Sequence, residues 1–492
     1  MVIEPFSLTG LLVLAIFLIG MTLIIFEAQL EMDKFKPAMF MMSGLIVIGA
    51  HYALTDPNGF QYFLHAQSET KEELFGLIAF MAFMWMVVEL LNERNVFTAL
   101  NGYLMRKGLG ARGMFWATGA LSALLSPFLN NITTAMIFGK TVKSISVHQR
   151  YTHVALCNIV VASNSGVWFL GTSTSLMVVL AGKISIAGLL LLIPSALIGW
   201  LLFAATLHLF YLRKLDGERL IHRAEQSETA LKPGGAGLAV VGLVSIVGAV
   251  LSNILLKVSI EFAIGIALGM VALYAWLLMH RGIELPWQDQ LQKVEWNALL
   301  FFIGIITSVS ALNHVGWLTY ISQLFELMSP TAVNMILGVA SGVMDNVPVE
   351  AAALMSNPQL GLDQWALNAL MVGIGGSLTV VGSAAGVMAM SLDKSYSFGV
   401  HLKFLPAILV NFFGGKRKNM SLGFADTVVE CGLQAYDFCA LVPVVEGAGG
   451  VMTDWQGKPL TLESDGKVAA ASCRAVHEEL LQVLSVDRVA FL

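Results

Sequence analysis

The sequence predicts an all-α polytopic membrane protein with inverted repeats, two re-entrant hairpins, broken helices and a short α/β tail. Of the 492 residues, 57% are hydrophobic and only 12% are charged, whereas about a quarter of a soluble domain is charged. Apolar runs of about 20 residues, long enough to cross a hydrocarbon core of about 30 Å, recur between Leu8 and Phe413. Two further apolar runs are interrupted by polar or helix-disfavouring residues.

The first apolar run is interpreted as a retained span, because neither a basic leader nor a small-residue cleavage motif accompanies it. The candidate spans cover residues 8–26, 37–53, 74–91, 153–181, 186–210, 236–256, 259–279, 297–316 and 366–390. The two interrupted segments cover 114–138 and 320–355.

Lysine and arginine residues distinguish the two sides of the membrane. Basic residues both precede and follow the segment 114–138, whereas 356–365, after the segment 320–355, contains none. The charges agree only if 114–138 enters and returns to the cytoplasmic side and 320–355 enters from the opposite side. Two such segments are typical of inverted repeats, and they predict halves of roughly 37–210 and 236–413.

The two interrupted segments share a local pattern. "SPFLNNITTAMI" resembles "GVMDNVPVEAAAL", which aligns the pair Asn130 and Asn131 with the pair Asp345 and Asn346. Each copy is followed by a glycine–hydroxyl stretch, at 163–179 and 375–390. Because irregular backbone inside a membrane is tolerated only where protein or water covers it, we expect the four interruptions to lie together.

Asp345 is the candidate exchange site, since it is the fixed carboxylate of this region and no basic residue is near it in the sequence. A group that binds either a proton or a cation, never both, exchanges one for the other. Hard cations favour oxygen ligands. The candidate ligands are the amides and hydroxyls of Asn130, Asn131, Thr133, Asn164, Thr172, Thr174, Asn346, Ser377 and Ser383.

Two of these interpretations have alternatives. The Asp-Asn-x-Pro pattern at Asp345 is also typical of a helix N-cap with no ion bound. Glu89 is read as the other intramembrane acid, either a second titrating group in the ion path or an interfacial residue paired with Arg94.

Residues 1–413 resemble the NhaD-type sodium/proton antiporters of the ion transporter superfamily, through "LLSPFLNNITTAMI", "GVMDNVPVEAAALM" and "GIGGSLTVVGSAAGVMAMSLDKSYSFGVHLKFLPAI". The resemblance implies a non-enzymatic, multi-pass transporter that exchanges Na⁺ or Li⁺ for H⁺ across the inner membrane by alternating access. It indicates no cofactor and no nucleic-acid partner. The lipid bilayer is the expected partner of the apolar surface, and a homodimer is an assembly that the sequence leaves open. The family's carboxylates are replaced at Asn130 and Thr172, so a Na⁺-coupled anion or carboxylate transporter is the alternative.

The composition changes after Gly415, which predicts a boundary between a transporter domain at 1–413 and a C-terminal fragment at 414–492. "YDFCALVPVVEGAGGVMTDWQGKPL" resembles the C-terminal part of inositol-monophosphatase-like enzymes of the histidinol-phosphatase branch. That resemblance implies that Asp437 is a vestigial Mg²⁺ ligand. The sequence lacks the family's upstream ligands, and one ligand cannot hold two hard cations. A membrane-attached phosphatase is therefore the disfavoured alternative, and the abrupt change predicts a join of unrelated sequences.

Overall fold

The helices of this protein follow its apolar runs, and several begin at a side-chain cap, as the first does at Ser7. The computed structural model describes residues 4–55, 59–215, 231–285, 287–419, 427–430, 442–447, 450–471 and 474–486. The chain divides into two compact units, Met1–Phe412 and Phe413–Leu492. We call them the membrane unit and the C-terminal unit and describe each by itself.

The first half of the membrane unit contains one long helical series and one hairpin. Its helices are α1 Leu8–Ile25, α2 Glu27–Leu30, α3 Phe35–Thr55, α4 Gly59–Glu93, α5 Val96–Arg106, α6 Ala111–Leu129, α7 Asn131–Ile145, α8 Gln149–Asn164, α9 Ser173–Leu180, α10 Ile186–Leu190 and α11 Ile193–Leu207. A short π-helix at His208–Leu212 and a 3₁₀ turn at Arg213–Leu215 follow.

The second half repeats the arrangement. Its helices are α12 Gly235–Leu256, α13 Ile260–His280, α14 Trp287–Gln292, α15 Trp296–His314, α16 Thr319–Leu327, α17 Pro330–Ser341, α18 Asn346–Met355, α19 Leu362–Gly375, α20 Ala384–Leu392, α21 Phe398–Leu402 and α22 Leu405–Asn419.

Seven helical segments in the described part of the chain are long and apolar enough to cross a membrane. They are Leu8–Ile25, Phe35–Leu54, Phe63–Glu93, Ile186–Leu215, Gly235–Leu256, Ile260–His280 and Trp296–His314. The predicted all-α polytopic fold is confirmed. The candidate spans at 153–181 and 366–390 are each broken within the expected glycine–hydroxyl stretch, because α8 stops at Asn164 and α19 stops at Gly375 before a new helix begins.

The two halves are built from matching hairpins and broken helices. Hairpin 1 is α6 and α7, joined at Asn130, and hairpin 2 is α17 and α18, joined through 342–345. The first arm of each hairpin packs against the broken helix of its own half, α6 on α8 and α17 on α19. The second arms cross over, because α7 packs against α20 and α18 packs against α9. This reciprocal packing joins the two halves.

Close backbone approach explains one glycine in each break. A Cβ on Gly171 would lie 2.2 Å from the carbonyl oxygen of Ser126, and a Cβ on Gly382 would lie 2.8 Å from that of Ser341. The same two serines donate hydroxyl hydrogen bonds to the broken helices, Ser126 to the Ser163 oxygen at 2.6 Å and Ser341 to the Val372 oxygen at 2.7 Å. The contacts correspond between the repeats, and only glycine fits there.

The C-terminal unit contains a small antiparallel sheet in the order β1-β3-β2, with β1 at Thr427–Glu430, β2 at Val451–Thr453 and β3 at Val468–Ala471. Helix α23 spans Val442–Gly447 and α24 spans Arg474–Val486. Strand β3 is central and is buried throughout. Its core residues pack with Val445 and Met452.

Candidate functional site

The four interruptions of the membrane unit meet at one cavity of about 70 Å³. We call it the central cavity. Its polar lining consists of Lys34, Asn130, Asn131, Thr172, Ser173, Asp345 and Asn346. Its apolar walls include the aromatic side chains of Phe80, Trp85, Phe128, Phe301 and Phe302. The expectation that the interruptions lie together agrees with this geometry.

Asp345 is paired with a lysine from the N-terminal part of the chain. The Lys34 Nζ atom lies 2.6 Å from Asp345 Oδ2, and it lies 4.3 Å from the ring centroid of Phe301. The pair is largely shielded, with side-chain exposures of 21% for Lys34 and 10% for Asp345. No basic residue is near Asp345 in the sequence, but the residue that precedes α3, 311 positions away, pairs with it in the structure.

Lys34 lies among several carboxylates. Burial opposes its positive charge, but Asp345 and Glu27 outweigh that effect and raise the pKa of Lys34 above its ordinary value of 10.5. Burial raises the pKa of Glu27 and of Glu295 above 4.5, although Lys34 favours their ionised forms. Lys34 is therefore a charged ammonium held at the central cavity.

Both hairpin tips place a side chain as a helix cap. Asn130 has a φ of 68°, and its Oδ1 accepts a hydrogen bond from the Thr133 N–H at 2.8 Å. Asp345 Oδ1 accepts from the Val347 N–H at 3.2 Å. Pro348 lies in the first turn of α18, where no helical partner is lost. Asp345 thus caps α18 with one oxygen and presents the other to the cavity, so the N-cap interpretation describes half of its role.

A chain of amides and hydroxyls connects the two repeats behind the cavity. Asn131 Nδ2 donates to Asn164 Oδ1 at 3.0 Å. Asn164 Nδ2 donates in turn to the hydroxyls of Ser377 at 2.9 Å and Ser383 at 2.7 Å. The oxygen and the nitrogen of the buried Asn164 amide are thus both hydrogen-bonded to protein side chains. Hairpin 1 is thereby fastened to the second break.

The predicted site residues fall into three groups. Asn130, Asn131, Thr172, Asp345 and Asn346 line the central cavity. Asn164, Ser377 and Ser383 lie one hydrogen bond or more behind it. Thr133, Thr174 and Glu89 are not among its lining residues.

The residues outside the cavity have local partners. Thr174 shares a 3.3 Å hydroxyl contact with Thr172. Glu89 accepts from Asn92 Nδ2 at 3.5 Å, and Arg94 donates to the Glu284 carbonyl. The suggested pairing of Glu89 with Arg94 is therefore not observed. Asp437 lies outside the described residues.

Sequence reasoning missed two charged residues. Lys34 carried no local signal beyond its place in a basic loop. Glu350, in α18, is a further intramembrane acid and is 0% exposed, so the interpretation of Asp345 and Glu89 as the two intramembrane acids is wrong. An acid inside the apolar run "VPVEAAALM" was the signal for Glu350, because an ionisable residue in such a run is a functional candidate by default.

Two protein families match different parts of the chain. Residues 21–375 match the family described as Citrate transporter, and residues 415–486 match the Inositol monophosphatase family. The C-terminal unit therefore carries an inositol-monophosphatase-like segment.

Individual relatives agree with that division. The chain is 32% identical over 441 residues to the Na(+)/H(+) antiporter NhaD of Alkalimonas amylolytica, covering 82% of this chain and 89% of the relative. It is 30% identical over 442 residues to the NhaD of Halomonas elongata, covering 82% and 87%. Over 72 residues it is 44% identical to the chloroplastic bifunctional phosphatase IMPL2 of Arabidopsis thaliana, covering 13% of this chain and 21% of the relative.

Proposed function

The chain belongs to the citrate transporter family, and from that premise we propose that its membrane unit exchanges Na⁺ or Li⁺ for H⁺ at the central cavity. Relatives named as Na⁺/H⁺ antiporters align over most of the chain. Their names suggest the ions of the proposal, and the lining of the central cavity supports its location. Alternating access of the two halves around Asp345 would move the ion across the membrane.

One observation carries the proposal: a single carboxylate, Asp345, lines a cavity formed by all four interruptions. Amide and hydroxyl oxygens of the tips and breaks surround it. This oxygen-rich set suits a hard monovalent cation, by analogy with the oxygen preference of Ca²⁺ and Mg²⁺. Helix ends and unwound backbone at the meeting point of two repeats are where transporters bind coupling ions.

Lys34 gives the exchange a third participant. In the described conformation its ammonium already occupies Asp345 at 2.6 Å. A Na⁺ ion that binds Asp345 replaces one positive charge by another, so the carboxylate is never left bare in a low-dielectric site. A proton on Asp345 removes the attraction for both. The proposal therefore has three mutually exclusive partners for one carboxylate: Na⁺ or Li⁺, H⁺, and the tethered ammonium.

Flux in proteoliposomes tests this assignment. The purified full chain is reconstituted, a Na⁺ or Li⁺ gradient is imposed, and internal pH is followed with a dye. We expect proton movement opposite to Na⁺ or Li⁺ and none with an equal K⁺ gradient. Proton flux that is equal for all three ions, or absent for all, would contradict the proposal.

An anion or carboxylate substrate is the second candidate, and one observation favours it. The N-termini of α7, α9, α18 and α20 begin at lining residues of the cavity, namely Asn131, Ser173, Asn346 and Ala384. Helix N-termini attract anions, and Lys34 adds a positive charge. Three of the four ends are capped by their own side chains, from Asn130, Asp345 and Ser383, which is why we rank this candidate second. Citrate uptake driven by Na⁺ in the same liposomes would favour it.

The C-terminal unit is proposed to be inactive as a phosphatase, which makes the whole chain a non-enzymatic transporter. Its match covers 21% of the phosphatase relative, and the sequence lacks the upstream ligands expected from the resemblance. We expect no Mg²⁺-dependent phosphate release from the purified chain, and release above background would contradict this. Inner-membrane location, lipid surroundings and a homodimer stay predictions.

A further inference from the structure

Glu350 is a buried acid that the exchange at Asp345 does not use. It lies on α18, five residues after Asp345, and it is 0% exposed. None of the salt bridges in the described part of the chain includes it. An ionised carboxylate with neither water nor a cation is strongly disfavoured in such a place.

A chain of amides runs from Glu350 to a backbone carbonyl. Asn334 Nδ2, on α17, donates to the Gln364 backbone oxygen at 3.0 Å. Asn334 Oδ1 therefore accepts, and Asn368 Nδ2 donates to it at 3.0 Å. The remaining amide atom of Asn368, its oxygen, faces Glu350 at 2.8 Å from Oε1 and 3.3 Å from Oε2. Two oxygens at 2.8 Å need a hydrogen between them, and only a protonated Glu350 can supply it.

The opposite direction of donation along these hydrogen bonds fails at the Gln364 backbone oxygen. An ionised Glu350 would require the Asn368 amide to rotate and donate to it, as in the rotated amide orientation. Asn334 would then have to rotate as well, and its oxygen would sit 3.0 Å from the Gln364 backbone oxygen. A backbone carbonyl has no donor to offer and cannot exchange its atoms. The ionised form thus leaves two buried acceptors face to face.

Among the residues that the structure describes, no hydrogen bond or ion pair joins Glu350 to a charged group. The helices packed most extensively against α18 are α9, α15, α16, α17 and α19. Their titratable groups are His314, Tyr320, Glu326 and Asp363. His314 Nδ1 is hydrogen-bonded to the Ser310 oxygen at 2.7 Å, and the other three are at least partly exposed. Two further carboxylates, Glu72 and Glu261, line a pocket beside Ala351 on α18, and neither is a cation.

We infer that Glu350 is a second proton-binding site of the membrane unit, held as a neutral carboxylic acid that donates to Asn368. The hydrogen-bond chain connects both arms of hairpin 2, through Asn334 and Glu350, to α19. Loss of this proton reverses or breaks these hydrogen bonds. The protonation of Glu350 therefore determines how hairpin 2 is hydrogen-bonded to α19. The inference needs no transported ion and stands apart from the proposed function.

Infrared spectroscopy of the purified full chain tests it directly. At about pH 8, well above the ordinary pKa of glutamate of about 4.3, we expect a carbonyl-stretch band of a protonated carboxyl group. Glu350→Gln should remove the band. Glutamine keeps the shape of the side chain and a donor for Asn368, so we expect the variant to elute like the native protein. No transport is measured, so the outcome is independent of exchange activity.

The matched control is Glu93→Gln. Glu93 is ion-paired with Lys232 and Lys293, each at 3.0 Å, so it contributes a carboxylate and its replacement should leave the band unchanged. A native spectrum whose protonated-carboxyl region is identical to that of Glu350→Gln would overturn the inference.

Discussion

Replacing Lys34 by methionine removes the tethered ammonium from Asp345 while keeping an unbranched side chain. In the native protein a cation has to displace an ammonium that lies 2.6 Å from Asp345 Oδ2. A hydrogen bond between charged groups contributes about 1.5 to 3 kcal/mol net. Since each 1.4 kcal/mol is a factor of ten in affinity, Lys34→Met is expected to tighten Na⁺ binding about 10- to 150-fold.

The assay is equilibrium binding of radioactive Na⁺ to the purified full chain at about pH 8.5, where a proton competes least for a carboxylate. Lys36→Met is the matched control, because Lys36 lies two positions away in an exposed pair with Asp33 at 2.9 Å. We expect the control to bind Na⁺ as the native chain does. Unchanged or weaker Na⁺ binding by a normally eluting Lys34→Met protein would refute the competition between the ion and the ammonium.

Two other predictions concern the frame around the site. Gly171→Ala puts a Cβ 2.2 Å from the Ser126 oxygen, so we expect about 1 to 3 kcal/mol of destabilisation or more, measured as a lower Tm in detergent. The control is Gly248→Ala, whose Cβ would have nothing within 4 Å and should not lower the Tm. Equal Tm values for the two variants would contradict the close packing at Gly171. Burial acts to raise the pKa of Asp393, but a neighbouring serine hydroxyl and Lys143 outweigh it and hold that pKa below 3.8. Its stabilisation is therefore complete above pH 3.8 and is lost as the pH falls through the lower folded-state value. The Tm difference between native protein and Asp393→Asn should narrow on acidification, and a constant difference would refute the linkage.

The local features of the site were predictable from sequence. Pro348, the Asn130–Asn131 pair and the glycine–hydroxyl stretches are short-range signals, because each acts on the backbone within a few residues. They located all four interruptions. Hydropathy alone would run a continuous span through two of them, since it averages over a few polar residues.

The partners of Asp345 were not predictable in this way. The pair with Lys34 joins residues 311 positions apart and depends on the packing of α3 against α15, for which no local pattern exists. Glu350 was visible as an acid in an apolar run, but its hydrogen-bond chain depends on α17 and α19 lying side by side. Long-range pairing is thus what the structure added.

Asp345→Asn is the sharpest test of ion exchange at Asp345. The amide keeps the size of the side chain and an oxygen for the Val347 N–H, now accepted by Asp345 Oδ1 at 3.2 Å, but it can neither ionise nor carry the exchanged proton. Na⁺-driven proton flux is measured in proteoliposomes with equal amounts of native and variant protein. We expect flux at the level of empty liposomes for Asp345→Asn, and flux at the native rate would show that Asp345 is not the exchange site.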